Sequence, residues 1–190
     1  VLRSDKSKKG LLYSGTETGM YISFNDGKSW EKFQKNLPIV PITDLTIKDN
    51  SLIVATQGRS LWMIDDLTVI HQLDKNDSEL KLYKPKDAYR VRGAGGNKSL
   101  TAGTNLPNGA IIHYYIPEYD KENDEIILSF HSKDGKEIKS YGTKNKENKL
   151  EVKKGGNNFV WNMRHEGAEV LDGMILWAVN FSGAKAIPGE

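Results

Sequence analysis

The chain contains no cysteine, which removes disulfide staples, thiolate nucleophiles and cysteine metal sites together. It has no apolar run approaching the roughly twenty residues that a helical membrane span requires. Its start carries no basic-then-apolar export signal. It opens on Val1 rather than Met, as expected of a fragment or of a processed product from which such a signal has been removed. Charge of one sign is also missing: 27 Lys and Arg stand against 25 Asp and Glu, a net charge of +2, too little for the one-sided field that nucleic-acid binding needs. The lysines at 6, 8 and 9 and at 144, 146 and 149 are interspersed with other polar residues in turn-rich sequence and read as solvated loops. Helical periodicity is nearly absent as well.

What the chain has is aromatic residues and turns. Four Trp, eight Tyr and five Phe within a 37% hydrophobic composition are enough to build cores, and 190 residues admit two modest domains. Short apolar or alternating runs bounded by Gly, Asn, Asp and Pro predict an all-β chain. In the first part the expected strands are 11–16, 19–24 and 29–34, then 42–48, 51–56, 60–65 and 68–73. The two sets align as one weak repeat, with Tyr21 and Trp62 in equivalent places. A period near forty residues with four strands per unit is the pattern of propeller blades. Two blades cannot close a ring, so further blades or another associating surface are expected.

Composition turns polar over 74–80, which places a boundary near residue 77 and gives domains at 1–76 and 77–190. Beyond a glycine-rich stretch (GAGGNK, 93–98), strands are expected at 110–116, 125–132, 137–141, 149–153, 157–164 and 174–181. The Asp134–Gly135 pair marks a hairpin turn. Short antiparallel strands at this spacing predict an immunoglobulin-like or fibronectin-like sandwich, possessing no disulfide.

The most specific motif is SFNDGKSW, residues 23–30, which fits an Asp box. Its chemistry is that of a turn. Asn25 and Asp26 are placed to accept backbone N–H groups, Gly27 to take a positive φ, Ser23 and Ser29 to close the loop, and Trp30 to fold beneath it. A turn that uses all its polar groups has none left for catalysis.

With the Asp box and the segments around it, GLLYSGTETGMYISFNDGKSW and SLIVATQGRSLWMIDDL, the chain resembles the last blades of bacterial BNR-repeat, sortilin-like propeller proteins, which are similar to xyloglucanase and sialidase propellers. The later segments LYKPKDAYR, LPNGAIIHYYI, GNNFVWNMR and GMILWA resemble the sandwich that follows such propellers, similar to a domain of flagellar hook-capping proteins. The resemblance implies an exported, extracellular or periplasmic protein in which this portion is a non-catalytic scaffold, partnered by the remainder of the propeller and by a protein or glycan ligand. The alternative it implies is the accessory, carbohydrate-binding end of a glycoside hydrolase whose catalytic acids lie in other blades. Gln57 stands where relatives often carry His, and Asn162 where they often carry Asp.

Other constellations carry little. Asp65 and Asp66 are adjacent, so strand alternation turns them to opposite faces rather than across the cleft of about 5–10 Å that paired glycosidase carboxylates need. Asp120, Glu122, Asp124 and Glu125 lack the glycine and distal glutamate of an EF-hand. His71, His113, His131 and His165 stand on separate elements, so no metal and no cofactor is expected. Tyr114 and Tyr115 are the candidate ligand contacts; alternation makes one a core residue and leaves the other partly exposed. Trp161 and Trp177 are expected in the core.

Overall fold

A computed structural model of the chain describes residues 1–74, 78–90, 106–168, 173, 177 and 181–187. The described residues are nearly all β, with twelve strands and one short helix, and the chain divides into two compact units, Val1–Lys75 and Asn76–Glu190.

The first unit is built from two antiparallel meanders. The first runs β1 (Leu2–Ser4), β2 (Leu12–Thr16), β3 (Gly19–Ser23) and β4 (Glu31–Lys32), hydrogen-bonded in chain order. The second runs β5 (Ile42–Lys48), β6 (Ser51–Thr56) and β7 (Leu61–Ile64), also in chain order. Alternation sorts each strand: Tyr13, Met20 and Ile22 from the first sheet meet Ile42, Leu45, Leu52 and Val54 from the second in one buried core, with Trp62 and Ile64 packed against it. Gly15 allows β2 and β5 to approach, because a Cβ there would collide with the Ile42 side chain.

A helix, α1 (Thr68–Gln72), replaces the strand expected over 68–73. Thr, Val and Ile favour a strand locally, but tertiary bonds decide otherwise. Asp66 Oδ1 accepts the Thr68 N–H at 2.9 Å and Asn50 Nδ2 at 2.8 Å, and the wholly buried Leu67 donates its N–H to the Asn50 carbonyl at 2.9 Å. The turn so formed starts the helix, and Ile70 then packs on the core. The strand expected over 29–34 contracts to Glu31–Lys32, because the Asp-box turn occupies its start, although Phe33 N–H still reaches the Met20 carbonyl at 2.8 Å.

The second unit contains a three-stranded sheet in the order β12 (Gly155–Trp161), β9 (Ala110–Ile116), β8 (Lys81–Leu82), and a hairpin of β10 (Ile127–His131) and β11 (Glu137–Gly142). Gly135, at φ 85°, provides the left-handed residue of the hairpin turn. The hairpin joins the sheet through aromatic rings: Phe130 stacks on Trp161 with centroids 4.2 Å apart, and Tyr141 lies 4.6 Å from Phe159. The segment 149–153 makes a bridge at Lys149 only; its buried Leu150 is anchored by an N–H bond to the Gly142 carbonyl. Most of the strand expected over 174–181 lies outside the described residues. Trp177 sits in a turn with its ring 97% exposed, so it is not the core anchor expected of it.

Candidate functional site

The Asp box forms a closed loop of hydrogen bonds. Ser23, 1% exposed, accepts the Gly27 N–H on Oγ at 2.9 Å and donates its hydroxyl to Asn25 Oδ1 at 3.0 Å. Asn25 Oδ1 also accepts the Ser29 N–H at 2.9 Å, and Asn25 Nδ2 donates to Ser29 Oγ at 2.9 Å. The turn is tied to the preceding loop by the Asp26 N–H, which donates to the Gly10 carbonyl at 2.9 Å.

Two details depart from the sequence reading. The Asp26 carboxylate makes no side-chain hydrogen bond among the described residues; this residue supplies a left-handed backbone, φ 55°, ahead of Gly27 at φ 83°. Asp tolerates that conformation better than most side chains. Trp30 lies against the turn, its indole 3.6 Å from where a Gly27 Cβ would stand, but it remains 39% exposed rather than buried between strands.

A second polar centre was not anticipated. Asp5 is held in a loop between β1 and β2 with its side chain 1% exposed. Its Oδ1 accepts the N–H groups of Ser7 at 2.7 Å and Lys8 at 3.2 Å. Its Oδ2 lies 2.8 Å from His71 Nε2 on α1 and accepts the hydroxyl of the fully buried Tyr13 at 3.3 Å. Burial acts to raise the Asp5 pKa, but the His71 hydrogen bond and the two backbone N–H groups outweigh it and hold the carboxyl below its ordinary value. Burial first, then the Asp5 charge, pushes the Tyr13 hydroxyl far above the usual tyrosine range. Every strong acceptor direction on Asp5 is taken, so the group ties the helix to the sheet and has no lone pair turned to a substrate.

The remaining candidates are similarly occupied or scattered. Asp66 is engaged at the start of α1, while Asp65 next to it is exposed, so the two do not act as a pair. In the acidic loop Asp120 accepts the Glu122 N–H at 2.9 Å and is held below its ordinary pKa by that bond and the one from Asn123. Asp124 Oδ2 accepts the Asp120 N–H at 2.8 Å. The loop bonds to itself, and no group of His, Asp or Glu able to hold a metal ion occurs among the described residues. His131 lies 3.0 Å from Ser129 Oγ, and Asn162 Oδ1 accepts the Arg164 N–H at 3.2 Å. The stretch 93–98 lies outside the described residues.

Tyr114 and Tyr115 follow alternation: Tyr114 is 5% exposed and points into the core of its unit, and Tyr115 is half-buried on the opposite face. Of these two tyrosines, only Tyr115 reaches the surface. Among the described residues, the Tyr114 hydroxyl and the Trp161 Nε1 are buried without a hydrogen-bond partner. An open groove beside β7 is lined by Phe33, Leu37, Val54 and Trp62 together with the polar Gln34, Lys35 and Asn36. No helix among the described residues is long and apolar enough to cross a membrane. Compared with known proteins, the chain matches no family model, no curated protein and no solved structure.

Proposed function

We propose that this chain is a non-catalytic scaffold portion of a larger, exported propeller protein: two successive blades, followed by a sandwich-like domain that spaces or docks them. The observation that carries the reading is the Asp-box turn, in which Ser23, Asn25 and Ser29 bond one another and the backbone. Support comes from the stacking of two consecutive meanders on a shared core while their outer faces keep exposed apolar residues, Leu2 on one and Leu61 and Met63 on the other. Blades in the middle of a stack cover such faces with further blades. The purified chain is expected to hydrolyse neither polysaccharides nor peptides and to bind no array glycan; turnover by the chain alone would end this reading.

A second reading makes the chain the carbohydrate-binding end of a glycoside hydrolase. It is favoured by the exposed Trp177 ring, since a flat exposed indole is the surface on which sugar rings stack. Glycan-array binding that is lost in Trp177→Ala would select it over the first.

A further inference from the structure

The four sheet edges of the first unit are not alike. β1 and β5 are tied to each other by Arg3, which donates to Asp44 Oδ1 at 2.6 Å and to the Leu45 carbonyl at 2.8 Å, and the edge strand β4 consists of Glu31 and Lys32. Charges of this kind are how free edges are protected from pairing with other strands. β7, Leu-Trp-Met-Ile, has none. It pairs with β6 on one side and with no other strand among the described residues, and Leu61 and Met63 are 72% and 57% exposed.

The charges of this edge lie just outside it, Arg59 before the strand and Asp65 after it. Both are exposed, and neither side chain forms an ion pair within the described residues. That order, cation, Ser, Leu, Trp, Met, Ile, anion, centres on Trp62 and sets opposite charges against each other when read against itself in the opposite direction. We propose that β7 is a homodimer edge, on which a second copy of this chain adds its own β7 antiparallel about a two-fold axis.

A two-fold axis perpendicular to a sheet keeps each face on its own side, so inward residues oppose inward residues. Among the registers this allows, the one that brings Arg59 of each copy to Asp65 of the other sets Trp62 opposite Trp62 of the second copy and Leu61 opposite Met63. The exposed Leu61 and Met63 of both copies become one continuous apolar stripe, and each β7 backbone gains the hydrogen bonds its free side lacks. This dimer does not depend on the propeller reading.

Sedimentation velocity on the 190-residue chain tests it, with far-UV circular dichroism confirming that each variant is folded. A concentration-dependent dimer is expected. Arg59→Glu and Asp65→Arg, each alone, weaken it about tenfold or more, because each places two like-charged pairs across the axis. The double reversal recovers affinity to within about threefold. For register, Leu61→Cys and Met63→Cys are prepared separately, which the absence of native cysteine makes clean. Directly opposed strand residues are about 4.5–5.5 Å apart at Cα, within disulfide reach, so mild oxidation crosslinks the mixture but neither variant alone. A chain that stays monomeric up to about 100 µM, a double reversal no better than the single ones, or Leu61→Cys crosslinking by itself as fully as the mixture would each overturn the proposal.

Discussion

Removing the Asp5 carboxylate tests the reading that this group locks α1 onto the first sheet. Asp5→Ala takes away two short bonds, from the Ser7 N–H at 2.7 Å and with His71 at 2.8 Å, and two long ones, from Lys8 and Tyr13 at 3.2 and 3.3 Å. Hydrogen bonds to a charged partner contribute about 1.5–3 kcal/mol each, and only the short pair counts near full value. The expected loss is therefore about 3–5 kcal/mol, a large part of the roughly 5–15 kcal/mol that stabilises an ordinary domain. Asp5→Asn keeps the acceptor facing Ser7 and turns an amide toward Tyr13 and His71, so it costs less, about 1–2 kcal/mol.

Tryptophan fluorescence would average over both units, since Trp30 and Trp62 belong to the first and Trp161 and Trp177 to the second. Hydrogen exchange read by mass spectrometry on residues 5–13 and 68–73 localises the effect. The pH dependence gives an independent sign. A carboxylate held below its unfolded value stabilises the fold above about pH 4, and that contribution disappears as pH falls through the folded pKa. Urea midpoints should fall from pH 5 to pH 3 more steeply in the native chain than in Asp5→Asn. The assignment fails if Asp5→Ala costs less than about 1 kcal/mol, if protection of 68–73 is unchanged, or if the two pH slopes coincide.

Within the Asp box, Ser23→Ala should destabilise the first unit by about 1–2 kcal/mol, while Asp26→Gly, at φ 55°, should leave urea stability unchanged or raised by up to about 1 kcal/mol; a larger loss for Asp26 would give its carboxylate a role the geometry does not assign. Gly15→Ala should cost about 1–3 kcal/mol by overpacking against Ile42, seen as a lower thermal midpoint. In the second unit Tyr114→Phe should be neutral or stabilising, since its hydroxyl is buried with no partner among the described residues. Phe130→Ala, which removes the half-buried ring stacked on Trp161, should cost about 1–3 kcal/mol, measured by near-UV circular dichroism during urea unfolding.

What could be read from the sequence was whatever neighbours along the chain decide. Alternation separated Tyr114 from Tyr115, and the Asp-Gly pair set the hairpin turn at Gly135. The Asp box was legible as a turn because its donors and acceptors lie within seven residues, although the division of labour was not: Asn25 takes the bonds and Asp26 the backbone conformation. The helix at 68–72 was illegible for the opposite reason. Its start depends on Asn50, and its outer face on Asp5, 66 residues before His71. No window along the sequence holds those partners together, and β-branched residues at Thr68, Val69 and Ile70 point locally to a strand. The same distance hid the Asp5 centre itself, since a lone aspartate in SDKSKK is indistinguishable from a solvated loop residue until the fold brings Tyr13 and His71 to it. Polar residues whose partners arrive from afar are the ones a sequence conceals, and here they hold the structure at the two points where local preference would have let it go: the loop before β2 and the turn into α1.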